Sequence, residues 1–171
     1  MNCKNCNKQA TALDLCETCF TKMIEKRIRK YLRINKFIEK NDKVIAVGNV
    51  TYHLLKSIFD KLPLNITQVE VQPKETKGVK IVIPWTLDHE NHYFLQNFID
   101  DKPKPFLKSN LIKLLLPITD VEAQLYAKIK KLNYTPMKQD KYTQLFTILE
   151  PKYQSVRYAF STSVSEFKKL K

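Results

Sequence analysis

All four cysteines of this chain lie within its first nineteen residues, as Cys3-x2-Cys6 and Cys16-x2-Cys19, and the rest of the 171-residue sequence has none. Two Cys-x2-Cys knuckles joined by a short loop bring four thiolates within reach of one tetrahedral ion, the pattern of a closed structural zinc site. A closed site has no open coordination position, so such a metal holds shape and does no chemistry. The loop 7–15 can turn back on itself but cannot bury a core, so this stretch is expected to need its metal to fold. Two disulfides would require an oxidising compartment, and the opening MNCKNC lacks the charged, apolar and small-residue succession of a secretory signal. An iron–sulfur cluster also takes four thiolates and stays open as the alternative to zinc. The reading is a Cys3, Cys6, Cys16 and Cys19 zinc module over residues 1–20.

Charge comes next. Thirty Lys and Arg against seventeen Asp and Glu leave +13 at pH 7, a balance that draws polyanions, nucleic acid above all. Residues 21–41 read as a basic helix continuing from the metal module. Phe20, Ile24, Ile28, Tyr31, Leu32 and Ile38 recur on one side at helical spacing. Lys22, Lys26, Arg29, Arg33, Lys36 and Lys40 follow steps of three and four on the other, while Glu25 and Glu39 fall off that line. A solvated, salt-bridged face is the plain explanation of such a stripe. Without counter-charges in register, a phosphate backbone explains it better.

Residues 42–171 alternate between strand and helix signals. Lys43–Val47, Ile66–Val71 and Val79–Ile83 read as strands, and Leu111–Leu116 as a buried strand or extended segment. Val50–Lys61, Leu87–Ile99, Val121–Leu132, Tyr142–Leu149 and Pro151–Leu170 read as helices, with a Pro- and Lys-rich connector from Asp100 to Ser109. Strands alternating with helices predict a three-layer α/β domain with a parallel sheet. No apolar run approaches the roughly 18 residues of a membrane span, so a soluble, cytoplasmic protein is expected. His89 and His92 sit three apart on a helix with no third ligand nearby, and structural roles are the simpler reading. Trp85, Tyr31, Tyr93 and Tyr126 are expected in core or interface positions.

Four collinear stretches resemble the tRNA 2-thiolation proteins of the PP-loop ATPase superfamily. They are CETCFTKMIEKRIRKYLRINKFIEKNDKVIAV from Cys16, TLDHENHYFLQNFI from Thr86, LLLPITDVEAQLYAKIKKLNY from Leu114, and ILEPKYQSVRYAFSTSVSEFKKL from Ile148. The resemblance implies a PP-loop-like fold of the adenine nucleotide alpha hydrolase type, a zinc module and bound tRNA. Active members carry Ser-Gly-Gly-x-Asp-Ser after the first strand, whose glycines let backbone N–H groups close on pyrophosphate. Here the same place reads Gly48-Asn49-Val50-Thr51-Tyr52-His53. Val50 is expected to obstruct the phosphate, and Tyr52 replaces the acid. The family's Gly-His-Asn becomes Pro84-Trp85-Thr86, although Asp88 and Glu90 persist, and no cysteine follows Cys19 to handle sulfur.

Those departures resemble the non-catalytic tRNA 2-thiolation protein 2 subunits, which look like an active sibling with a decayed nucleotide site. The resemblance thus implies a pseudoenzyme with zinc and no ATP. It would bind tRNA and an active PP-loop thiolase subunit, and through that subunit a ubiquitin-like sulfur carrier. A stand-alone zinc-containing nucleic-acid-binding or regulatory protein is the alternative from a different class.

Overall fold

The short apolar runs of the sequence become a small parallel sheet. The computed structural model describes residues 2–74, 78–100, 111–153 and 155–169. Its strands are β1 (Lys43–Val47), β2 (Asn65–Val69), β3 (Val79–Ile83) and β4 (Leu111–Lys113). All pair in parallel, in the order β2-β1-β3-β4. The helices are α1 (Glu17–Asn35), α2 (Asn49–Ile58), α3 (Leu87–Ile99), α4 (Asp120–Lys130), α5 (Lys141–Leu149) and α6 (Val156–Lys169). The α/β class expected from the alternating pattern is therefore present. The chain leaves β1 toward β2 on one side and later places β3 on the other, so the strand order reverses direction at β1.

Alternation along the strands sorts their side chains. Val44, Ala46, Val82 and Ile112 face a cluster built from α1 (Phe20, Ile24, Ile28, Leu32), α2 (Val50, Leu54, Leu55, Ile58) and α4 (Ala123, Tyr126, Ala127). Cys3, Ala12, Leu15 and Cys16 belong to the same cluster. Residues from 1–20, 21–41 and 42–171 thus share one core. The opposite face gathers Val47, Ile81 and Ile83 with Val69, Trp85 and Leu111, and Trp85 meets α3 through the rings of His89 and Tyr93, with centroids 5.3 and 6.1 Å away. Helices α3, α5 and α6 form a third cluster through Leu95, Tyr142, Phe146, Val156 and Phe160.

Several boundaries differ from the sequence reading: α2 ends at Ile58 and not at Lys61, β2 at Val69 and not at Val71, and α4 at Lys130 and not at Leu132. Helix α1 stops at Asn35, because Lys36 takes a left-handed conformation at φ 50° as its C-cap. Strand β4 is three residues long, and turn hydrogen bonds from Leu116 N–H to Lys113 and from Ile118 N–H to Leu115 replace its continuation. Helix α6 starts at Val156, after Ser155 at φ 58°, so Pro151 lies in the preceding turn and not in its first turn. Most of the connector 100–109 lies outside the described residues.

Polar contacts fasten the helices. Asp88, buried at the start of α3, pairs with Arg157 of α6 and accepts the Asp120 N–H at the start of α4 at 2.5 Å. Glu122 of α4 accepts from Arg27 of α1 at 2.7 Å and from the Tyr158 hydroxyl at 2.9 Å. These acids are structural ties.

Candidate metal centre and switch-point cleft

Local backbone geometry brings the four cysteines together. The loop closes through Cys3 N–H to Lys8 at 2.8 Å and Lys4 N–H to Asp14 at 3.0 Å. Leu13 and Asp14 both take positive φ, at 46° and 65°, and Leu15 N–H bonds back to Ala12 at 2.9 Å. That is a two-residue turn of the primed kind, which reverses the chain into the second knuckle. Cys16 is the N-cap of α1, which puts Cys19 on the first helical turn. The positive end of the helix dipole there favours thiolates.

The four sulfurs lie within 4.8 Å of one another, and those of Cys6 and Cys16, and of Cys6 and Cys19, are 3.5 and 3.6 Å apart. Sulfurs placed tetrahedrally at about 2.3 Å from one ion stand about 3.8 Å from each other. The four cysteines can therefore hold a single metal ion, and none is in a disulfide. An iron–sulfur cluster spreads its four thiolates over several iron atoms, a wider arrangement. Burial raises the Cys3 thiol, but N–H groups of Cys16, Asn5 and Cys6 outweigh it and hold it at about 6. Hydrogen bonding to the Cys16 and Cys6 sulfurs pushes Cys19 up to about 12. Sulfurs crowded this closely hold protons between them, and a cation substitutes for those protons.

The stripe beside this centre is solvent-exposed throughout. Lys22, Lys26, Arg29 and Arg33 lie on α1, whereas Lys36 is its cap and Lys40 lies in the turn beyond. Helical spacing therefore orders four of the six cations. Among the described residues none of the six has an ion-pair partner; Arg27, off the stripe, is the cation of α1 that pairs, with Glu122 at 2.7 Å.

At the carboxyl ends of β1 and β3, where the strand order reverses, lies a cleft of about 280 Å³. Open α/β sheets bind ligands at such switch points. Its wall includes Gly48, Asn49 and Val50 after β1, Glu70 after β2, Pro84 and His89 near the start of α3, and Asn133 to Thr135 after α4. Gly48 sits at φ 79°, ψ 162°, a conformation essentially confined to glycine. Its N–H is spent on Val69 at 2.8 Å.

The structure corrects the steric reading of this loop. Val50 is 1% exposed, so its side chain turns into the core and does not obstruct the cleft. Thr51 is wholly buried, with no partner for its hydroxyl among the described residues. Tyr52 lies beneath the Lys56 ammonium, 5.7 Å from its ring centroid. His53 stands 3.2 Å from the Tyr126 hydroxyl, which donates to Glu25 at 3.1 Å. Asn49 accepts from the Gln68 amide.

What distinguishes the cleft is its charge. Among the described residues Glu70 is its one acid, and no Lys or Arg lines it. His89 cannot compensate, because burial lowers its pKa, outweighing Asp120 and Asp88. The Thr86 N–H donates to His89 Nδ1 at 3.4 Å and the Thr86 hydroxyl lies 2.6 Å from it. Nδ1 is then an acceptor, and the ring proton resides on Nε2. Glu70 and Asn133 escaped the sequence reading, and His89 was read there only as a structural residue, since the three come from separate elements with no common spacing. His92 is committed elsewhere, 2.6 Å from Asp140, so the two histidines do not share a site. Trp85 donates to Glu90 at 2.9 Å and lies under Lys113. Tyr126 is wholly buried, as expected.

The sequence matches no model of a known protein family and no curated protein.

Proposed function

We propose that this chain is a non-catalytic, zinc-stapled RNA-binding subunit that holds tRNA beside an active PP-loop sulfurtransferase during wobble-uridine 2-thiolation. The observation that carries the RNA-binding part is the row of six exposed cations without ion-pair partners among the described residues, which begins one helical turn from the four-cysteine centre. From Lys22 to Arg33 the row spans about 16 Å along α1, and each cation there is free to displace a counterion from a phosphate. Zinc is the ion that knuckle spacing, all-sulfur ligation and the close sulfur separations favour. Free thiols of this kind stay reduced in the cytoplasm, where the reading places the protein.

Electrostatics supports the non-catalytic part. ATP brings several negative charges, and the described residues of the cleft offer it a carboxylate, a neutral imidazole and no cation. In this reading the α/β unit is a PP-loop-like domain whose nucleotide loop has decayed, and chemistry belongs to the sibling subunit, which also engages the ubiquitin-like sulfur carrier. The tRNA thiolation assignment itself rests on the four collinear stretches of resemblance. The test is purification of the tagged chain from its own cells, followed by calorimetric titration with ATP and magnesium. Recovery of tRNA with a sibling carrying Ser-Gly-Gly-x-Asp-Ser, and no heat from ATP, is the expected result. Nucleic acid without a sibling would favour the stand-alone binding module. Micromolar ATP affinity would refute the pseudoenzyme reading.

A further inference from the structure

We propose that an apolar pocket at the far end of α1 docks an acidic segment of a protein partner through an aliphatic side chain. The pocket, of about 480 Å³, lies between the end of α1, the 36–39 turn and the end of α2. Its floor is Leu32, Ile38, Ile58, Phe59 and Leu62, and its rim carries Arg29, Arg33 and Lys36 against Glu39, the single acid among the described residues. Leu32 and Ile58 are buried, whereas Leu62 is 45% exposed at the mouth. A concave apolar floor with three cations along its rim suits an apolar side chain flanked by acids.

Charge and chemistry select that occupant. Three cations facing one acid call for an anionic partner, and the Arg forks suit carboxylates as well as phosphates. The floor decides between them. It offers aliphatic carbons and one aromatic ring, with no side-chain group to pair the edge of a nucleobase. A base buried there would lose its hydrogen bonds to water without replacement. An aliphatic side chain has no such cost, and acids flanking it along an amphipathic helix would reach the rim. Glu39 fixes the polarity, turning the acidic flank toward α1. Residues 101–110 carry Lys102, Lys104 and Lys108, so charge does not favour them as an internal occupant. Arg29, Arg33 and Lys36 also belong to the basic row, so RNA and the acidic segment would compete at this end. The inference stands on the pocket and is independent of the tRNA assignment.

The test uses the full zinc-loaded chain and two labelled helical peptides of equal charge, one presenting leucine among glutamates, the other with glutamine at those leucines. Fluorescence anisotropy should show the leucine peptide binding about tenfold more tightly, the effect of partly burying one such side chain. Leu62→Gln should erase most of that difference, and Arg33→Gln should weaken both peptides. Equal affinity for the two peptides would overturn the proposal. So would an oligouridylate whose binding Leu62→Gln weakens as much as that of the leucine peptide, since the pocket would then be reading bases. Leu62 is at the mouth, and circular dichroism with zinc content establishes that the variant stays folded.

Discussion

Replacing Cys16 by serine tests how the metal centre is wired into the rest of the molecule. Cys16 is 6% exposed, caps α1 and lies in the same buried cluster as Phe20, Ile24 and Val44. Losing one of four ligands should release the ion and loosen residues 2–16. Those residues bury Cys3, Ala12, Leu15 and Cys16 against the helices. At about 25 cal/mol per Å² of apolar surface, exposing them costs about 4 kcal/mol. A domain of this size has roughly 5–15 kcal/mol in hand, so α1 and the sheet should stay folded. With about 2–4 °C lost per kcal/mol for 150–250 residues, the midpoint should fall by roughly 10 °C. The assay is thermal unfolding by far-ultraviolet circular dichroism under reducing conditions, paired with metal analysis of the purified protein. An unchanged midpoint would show that the knuckles are an appendage. Complete unfolding at room temperature would show that the shared core depends on the metal far more than its buried area implies. One zinc per chain retained in the variant would refute the four-ligand assignment.

Two further outcomes follow from buried polar groups. His89 and His53 have pKa values lowered chiefly by burial, so the unfolded chain binds protons that the folded one resists. Stability should hold above about pH 6.5 and decline as pH falls below it. Urea midpoints should show that decline shrinking in His89→Gln, which keeps a capping side chain at the third helical position. An identical pH profile in the variant would contradict it. Asp88→Ala should cost about 3 kcal/mol, because it strands Arg157 beside Glu150 alone and frees the Asp120 N–H; a loss under about 1 kcal/mol in urea unfolding would show the tie to be slack.

The cysteine knuckles were legible because metal ligation imposes a linear spacing, and the sulfurs duly converge. Strands β1 and β3 and helix α3 were legible to the residue, since Gly48, Pro84 and a Thr86 cap punctuate them. The end of α1 was not. Phe37 and Ile38 prolong the apolar rhythm past Asn35, and neither Gly nor Pro marks Lys36, which nonetheless turns left-handed. Likewise the apolar run after Leu111 looks like a longer strand, but Pro117 and the turn bonds before it end β4 early. The steric misreading of Val50 had an available remedy. Val50, Leu54 and Ile58 are spaced by four, which already puts Val50 on the inner face of α2. The character of the cleft could not be read at all, because Glu70, His89 and Asn133 meet only in three dimensions.

The account depends most on unpaired cations of α1 engaging a phosphate backbone. The direct measurement is the slope of log tRNA affinity against log salt for the parent chain and for Lys22, Lys26, Arg29 and Arg33 replaced together by alanine. Each lost phosphate contact should flatten the slope by roughly 0.7–0.9, so the fourfold variant should lose about three units along with affinity. A slope that stays the same would mean the row is a solvated face, and the RNA-binding account would fail.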